Sequence, residues 1–239
     1  MKTGHRGMPH EWLIHWMQLQ NMLLWGVADL SGFPTPVDET GHGFPFAFSW
    51  AVPMDPLVME GIQRGPTRAY ADEYARVNAL INELAVKLSE EIKGHGSRAL
   101  ALAASDRTDT ITIRGAFPHK TAATRAGLGW IGCHCQLITP EFGPWVRLGT
   151  VFTDMALPGS TPAEKSFCGR CTLCVDACPA GALKGAVWYP GLPREEILDV
   201  HACDRWKKEH YSHFNKGHNC GICSAVCPYG RKVLKRNER

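Results

Sequence analysis

The chain has 239 residues, the length of one large domain or one and a half. With 44% hydrophobic and 21% charged residues it is not a disordered chain, and a net charge of +3 is too small for a general polyanion binder. No run of 18 apolar residues occurs, so no membrane span is expected, and Glu11 and three histidines interrupt any signal-peptide core after Lys2 and Arg6. The cytoplasm is the expected location.

In chain order, Trp12, Trp16, Leu19 and Leu23 recur at helical spacing and predict a helix over about 9–24. The two tryptophans read as helix core before they read as a cofactor wall. A turn-rich stretch, Ser31 to Gly43, leads to Phe46–Val52, short, aromatic and apolar, which predicts a buried strand. Thr67 can cap a long helix carrying Tyr70, Tyr74, Val77, Ile81, Leu84, Leu88 and Ile92 on one stripe, with Gly94 and Gly96 as its stop. Strands are predicted over 98–104, 109–114 and 146–153. Pro158-Gly159-Ser160 reads as a linker, dividing the chain into residues 1–158 and 159–239. Charge divides similarly. Residues 201–239 hold nine Lys and Arg against three Asp and Glu, which leaves the first 200 residues at −3.

The second part carries most of the cysteines. There are ten in the chain, none before Cys133, and eight lie between Cys168 and Cys227. Disulfides rarely persist in a reducing compartment, so metal is the expected use. Cys168-x2-Cys171-x2-Cys174-x3-Cys178-Pro179 has the spacing of two-cluster bacterial ferredoxins, where the fourth cysteine serves the other cluster. Cys220-x2-Cys223-x3-Cys227-Pro228 repeats the last three positions, and Cys203 is the cysteine left to complete it. Exchange of fourth ligands predicts one [4Fe–4S] cluster on Cys168, Cys171, Cys174 and Cys227. The other would sit on Cys178, Cys203, Cys220 and Cys223. Structural zinc is the alternative, since paired cysteines also bind it. Two clusters imply electron transfer from a low-potential donor. A bare ferredoxin needs only about 60 residues, so the remainder should hold a second site.

The densest segment outside the clusters is His119-Lys120-Thr121-Ala122-Ala123-Thr124-Arg125-Ala126-Gly127-Leu128-Gly129-Trp130-Ile131-Gly132. Its RAGLGWIG, upstream of a double-cluster module, resembles the epoxyqueuosine reductase family over about residues 25–230. Reductive dehalogenases are more distant relatives. The resemblance implies an α+β fold: a nitroreductase-like or cobalamin-processing-like α/β domain, then a ferredoxin-like module. It also implies a cobalamin held base-off, reduced to Co(I) by the adjacent cluster, with Arg125, Gly127, Gly129, Trp130 and Gly132 lining the corrinoid.

Three departures accompany it. The family places an aspartate, as proposed proton donor, just before the glycine-rich segment, whereas Thr112–Pro118 holds no carboxylate. The family usually continues into a helical-repeat tail that helps hold tRNA, and this chain ends 12 residues after Cys227. Both argue against a tRNA substrate, leaving a small-molecule or corrinoid substrate as the expectation. The basic end (Arg231, Lys232, Lys235, Arg236, Arg239) reads first as a solvated tail. The third departure is Cys133-His134-Cys135, two thiols left over from the cluster count. They are candidate catalytic or cobalt-facing groups, or else buried core residues. His201, His210, His213 and His218 are irregularly spaced and read as solvated or supporting groups. His119 and Lys120 can reach an anionic group or act as a local cap.

The expected function is an iron–sulfur oxidoreductase passing electrons through two [4Fe–4S] clusters to a corrinoid for a reductive reaction. An electron carrier or corrinoid reductase serving a partner protein is one alternative, and a flavin-containing reductase another. No membrane partner is expected.

Overall fold

In the computed structural model of the chain, residues 11–237 are described, without the side chains at 215 and 235–237. Lys2, Arg6, the start of the helix expected over 9–24, and Arg239 lie outside them.

The first helix, α1 (Glu11–Leu19), is shorter than expected, because Asn21 turns left-handed (φ 52°) and Leu24–Asp29 becomes strand β1. Next come β2 (Phe46–Pro53), α2 (Pro56–Glu60), α3 (Arg68–Gly94) and β3 (Ala99–Leu102). They are followed by α4 (His119–Arg125), the two-residue strands β4 (Trp130–Ile131) and β5 (Leu137–Ile138), and β6 (Val146–Thr153). The cysteine-rich part adds short helices: α5 (Leu173–Asp176), α6 (Arg194–Ile197), α7 (Val200–Tyr211), α8 (Ile222–Ala225) and α9 (Pro228–Asn237).

Four strands form one antiparallel sheet in the order β1-β2-β6-β3, with β2 and β6 paired from Phe46↔Thr153 to Pro53↔Val146. Alternation along the strands sorts the side chains onto two faces. Val27, Phe48, Trp50, Ala99 and Val151 pack beneath α3, while Ala28, Ala47, Leu102 and Phe152 pack with α4. The long helix matches the sequence expectation. Thr67 Oγ1 accepts from Tyr70 N at 3.2 Å, the stripe from Val77 to Ile92 is buried, and Gly96 (φ 86°) follows its end.

Residues 109–114 form no strand. The Asp109 carboxylate accepts from the backbone of Ile111 and Thr112 (2.8 and 3.0 Å), closing a tight loop that competes with any ladder. Ile111 is left in solvent and Ile113 is left-handed (φ 53°). The expected linker is docked as well. Ser160 Oγ accepts from Val27 N, Ser160 N donates to Val27 O, and Ala163 N donates to Thr124 O. Ala225 of α8 belongs to the main core and Val233 and Leu234 of α9 pack on it. Packing therefore runs across residue 158, and the cysteine-rich part is held against the sheet domain.

Candidate iron–sulfur and reductive site

Short helices set the cysteines. Cys174 lies in α5, with Cys178 just beyond it; Cys223 lies in α8, with Cys227 just beyond it, and α5 packs on α8. Cys203 comes from α7, started by Asp199 accepting from Ala202 N at 2.9 Å. Burial, then the nearby thiols Cys168, Cys227 and Cys171, push the Cys174 thiol up to about 12. Burial pushes Cys227 up to about 11, with Cys168 and Cys171 adding to it. Burial likewise raises Cys203, Cys220 and Cys223. Cys178 adds to all three, and Cys203 and Cys220 add to Cys223. Crowding of this kind favours metal, which holds thiolates close together by cancelling their charge. The thiols of Cys168 and Cys171 thus act on Cys174 and Cys227, while Cys178, Cys203, Cys220 and Cys223 line one cavity, and the two sets meet where Cys168 and Cys174 pack with Cys178 and Cys223. Among the described residues no three His, Cys, Asp or Glu side chains meet at a single-ion position.

One cavity is lined by the second group, and another lies beyond it. The inner, about 420 Å³, is lined by all four of its cysteines and by Tyr74, His119, Lys120, His134, Cys135 and Arg147, among others. The outer, about 910 Å³, lies between α4 and the segment carrying Trp188 to Ile197, with Phe33, Arg125 and Ile131 on its wall. Lys120 and Cys135 line both, so this pair stands at the partition. Lys120 Nζ donates to Cys135 O at 2.7 Å and to Cys135 Sγ at 2.9 Å. The β4–β5 hairpin fixes the thiol. Gly132 N bonds to Gln136 O, Cys135 N bonds to Gly132 O, and Cys135 itself is left-handed at φ 62°.

The histidines here are neutral. Burial holds His119 down at about 4, and its ring nitrogens pair with Thr150 Oγ1 (2.8 Å) and Ala103 O (3.2 Å). Burial, with Lys120 nearby, holds His134 at about 4 as well. His134 Nδ1 accepts from Gln136 N at 3.2 Å, and its Nε2 is buried without a hydrogen-bond partner. Gln136 ties this turn to the cysteines, donating from Nε2 to Cys223 Sγ (3.7 Å) and accepting from Ser224 Oγ (2.5 Å).

The glycine-rich segment packs closely on the protein's own chain. A Cβ on Gly129 would lie 2.0 Å from Ile138 O, and one on Gly127 would lie 2.6 Å from Thr161 O. One on Gly132 would meet the Ile138 and His134 side chains. These glycines let the protein's own chain close up, and none of them lines either cavity. Trp130 lines neither. Its ring meets Phe167 and Tyr229 edge-on (centroids 4.9 and 5.0 Å apart) and packs with Cys168 and Cys227. Arg125 does reach the outer cavity, with its guanidinium 5.3 Å over Phe33 and Nε donating to Asp29 O. Cys133 and Cys135, two residues apart, separate. Cys133 is buried against Cys168 and Cys174, and its thiol, as hydrogen-bond partner of Cys168, draws that thiol downward. Of the four later histidines only His218 lines the inner cavity. Sequence reading missed Arg147, although a lone charge inside the apolar strand VRLGTVFT was a usable signal.

Fold and cysteines together define an iron–sulfur protein of the double-cluster kind: the model of a 4Fe–4S double cluster binding domain matches residues 167–230. More particularly, the chain is similar to epoxyqueuosine reductases. It is 36% identical over 126 residues to that of Listeria monocytogenes, covering 52% of this chain and 33% of the relative. It is 28% identical over 183 residues to that of Vibrio cholerae, covering 70% and 44%. The chain thus spans a third to under a half of these curated relatives. Among solved structures, a reductive dehalogenase described for B12-dependent dehalogenation superposes with a TM-score of 0.71 at 15% identity, covering 100% of this chain and 35% of that one. An epoxyqueuosine reductase solved with a tRNA-Tyr epoxyqueuosine-modified stem loop gives 0.61 at 20% identity, covering 92% and 65%. The resemblance drawn from RAGLGWIG and the cysteine runs holds.

One expectation is overturned. The sequence argued against tRNA from an absent carboxylate and tail, yet a reductase of this fold is solved with a tRNA stem loop. Affinity for RNA comes largely from phosphate contacts spread over a folded surface, which a single missing carboxylate does not decide. Among the described residues no helix is long and apolar enough to cross a membrane.

Proposed function

We propose that the chain is an iron–sulfur reductase that moves electrons through two [4Fe–4S] clusters to a reducible centre at the two cavities, with a nucleoside in tRNA as its substrate class. The observation that carries this reading is that Cys178, Cys203, Cys220 and Cys223 all line the inner cavity. Electrons reaching this set meet the inner cavity directly, and Lys120 and Cys135, which line both cavities, connect it to the outer one. The tRNA element follows the naming of the relatives and the stem-loop complex.

A corrinoid is the centre we propose, with residues 1–158 as a domain of the nitroreductase and cobalamin-processing kind. When bound, a corrinoid supplies a metal that accepts single electrons and delivers a pair. The outer cavity fits such a group in kind: about 910 Å³ is near the top of the usual ~300–1,000 Å³ range, and its wall mixes Phe33, Ile131 and Trp188 with Arg125. Arg125 and Trp188 would hold it. The chain's own residues do the rest. Lys120 and Cys135 hold transferable protons at the partition, where the family's aspartate has no counterpart. His119 and His134, neutral and fixed, keep further charge out.

The test is anaerobic preparation with cobalamin supplied, followed by iron and cobalt analysis. The protein is then incubated with an epoxyqueuosine-bearing tRNA stem loop and a low-potential reductant. Retained cobalt and queuosine formation are expected. Protein with its clusters loaded that retains no cobalt and leaves the stem loop unchanged would refute the reading.

A further inference from the structure

Arg147 projects from β6 to the wall of the inner cavity, and its hydrogen bonds all go to neutral groups. Nε donates to Asn78 Oδ1 at 3.0 Å, and Nη2 donates to Tyr74 OH at 3.0 Å and to Ser105 Oγ. The guanidinium also lies 4.1 Å over the Tyr74 ring. Tyr74 OH and Asn78 Nδ2 are themselves bonded to Ser105 Oγ, so α3 and the chain after β3 hold the arginine in a braced frame. The frame orients the cation, and beyond the face of the Tyr74 ring it supplies no formal negative charge.

The rest of the cavity does not offset it either. Lys120 and Lys207 line the same space, and among the described residues no Asp or Glu does. The nearest carboxylate to Lys207, Asp204, is 3.9 Å away and already engaged by Arg107 (2.9 Å) and Lys208 (2.8 Å). Lys207 lines the cavity beside Cys203 and Cys220, where the charge of a cluster would answer it. Arg147 and Lys120 are left over. A planar guanidinium already fixed in place on a cavity wall, with no carboxylate paired to it, is well suited to a two-oxygen anion.

We propose that the inner cavity is an oxyanion site, with Arg147 as the anchor for a carboxylate or phosphate and Lys120 as the second cation. This deepens the reductive reading and rests on it for what the anion belongs to. The same chemistry has two sources: the anionic group of the molecule being reduced, or the phosphodiester of a corrinoid's nucleotide loop.

Calorimetric titration of the cluster-loaded protein with inorganic phosphate and with benzoate, at fixed ionic strength, tests it. Wild type should bind one of them, Arg147→Gln should weaken binding at least tenfold, Arg147→Lys should restore part, and Lys120→Gln should give a smaller loss. Iron content should stay constant across the set. Cobalamin and cobinamide, which lacks the nucleotide loop, separate the sources. If Arg147→Gln weakens cobalamin alone, the phosphodiester is the ligand; if both corrinoids are indifferent while benzoate or phosphate binding falls, the substrate is. No binding of either anion by wild type, or binding indifferent to both Arg147→Gln and Lys120→Gln, overturns the proposal. Because binding needs no turnover, a protein that binds the anion yet reduces nothing fails the functional reading and keeps this one.

Discussion

Cys168 and Cys227 pack with aromatic rings, whereas Cys178, Cys203, Cys220 and Cys223 line a cavity. The first group meets an aromatic wall of Trp130, Phe167 and Tyr229 and is carried by a loop whose Phe167 and Leu173 are half or more in solvent. The second faces cations and neutral histidines. Two related cysteine runs have thus been given different neighbours, one turned outward to where a donor can dock, the other inward to where chemistry can occur. Under the proposed function this difference gives electrons a direction, in by the outward group and out by the inward one, and Cys174, which acts on Cys223, lies where the two groups approach.

The comparison breaks most sharply at the crossing ligand. Cys178 follows the first run in sequence but sits with the second group in space. Cys178→Ser should therefore cut iron from about eight to about four atoms per chain, the count for one [4Fe–4S] cluster. The surviving cluster should be the outward one, read by electron paramagnetic resonance after reduction. Stoichiometric zinc in the anaerobic wild type, or loss of the outward cluster from Cys178→Ser, contradicts the assignment.

The glycine segment is the next place to press. If Gly129 serves packing, Gly129→Ala must force a methyl to within 2.0 Å of Ile138 O, and the β4–β5 hairpin cannot give way cheaply. A stability loss of about 3 kcal/mol is expected, the upper end for overpacking, measured by anaerobic denaturant unfolding. Wild-type stability with altered corrinoid binding would instead return the glycine to the cavity wall.

What could be read beforehand divides along a physical line. The α3 stripe was legible because helical periodicity reports one buried face, and β2 and β6 because short apolar runs report strands buried on both. The cysteine runs were legible because metal geometry demands fixed spacing. The loop at 109–114 was misread, since an Asp side chain closing on its own backbone leaves no trace in apolar alternation. For RAGLGWIG the sequence could not name the neighbours of Gly127, Gly129 and Gly132. A glycine says that something comes close, and only coordinates say that it is Ile138 O or Thr161 O. Arg147 was passed over because its meaning lies in partners 69 to 73 residues away.

The leftover thiols sharpen the comparison further. Cys133→Ala should leave iron at about eight atoms per chain and move the outward cluster to a lower reduction potential, since a hydrogen-bond partner of Cys168 is removed. Cys135→Ala should leave both clusters' spectra alone and alter only what binds at the partition. Redox titration with spectral monitoring separates the two. Identical behaviour of both variants would mean that the residues do not divide between the two regions.

The smallest expected effect is on acid stability, and it belongs to the inward region. His134 is 3% exposed and held neutral down to about 4, while in an unfolded chain it protonates near 6.5. Between those values the unfolded state binds the extra proton, so stability is full above about 6.5 and falls as pH drops towards 4. The full shift corresponds to at most about 3 kcal/mol, part of which water entering the cavity would relieve. His134→Gln removes the titration while keeping a side chain that can accept from Gln136 N, so its unfolding free energy should decline less steeply than wild type over that window. The same slope in both proteins would place His134 in contact with water, and the inner cavity would then lack the dry wall on which its neutral histidines depend.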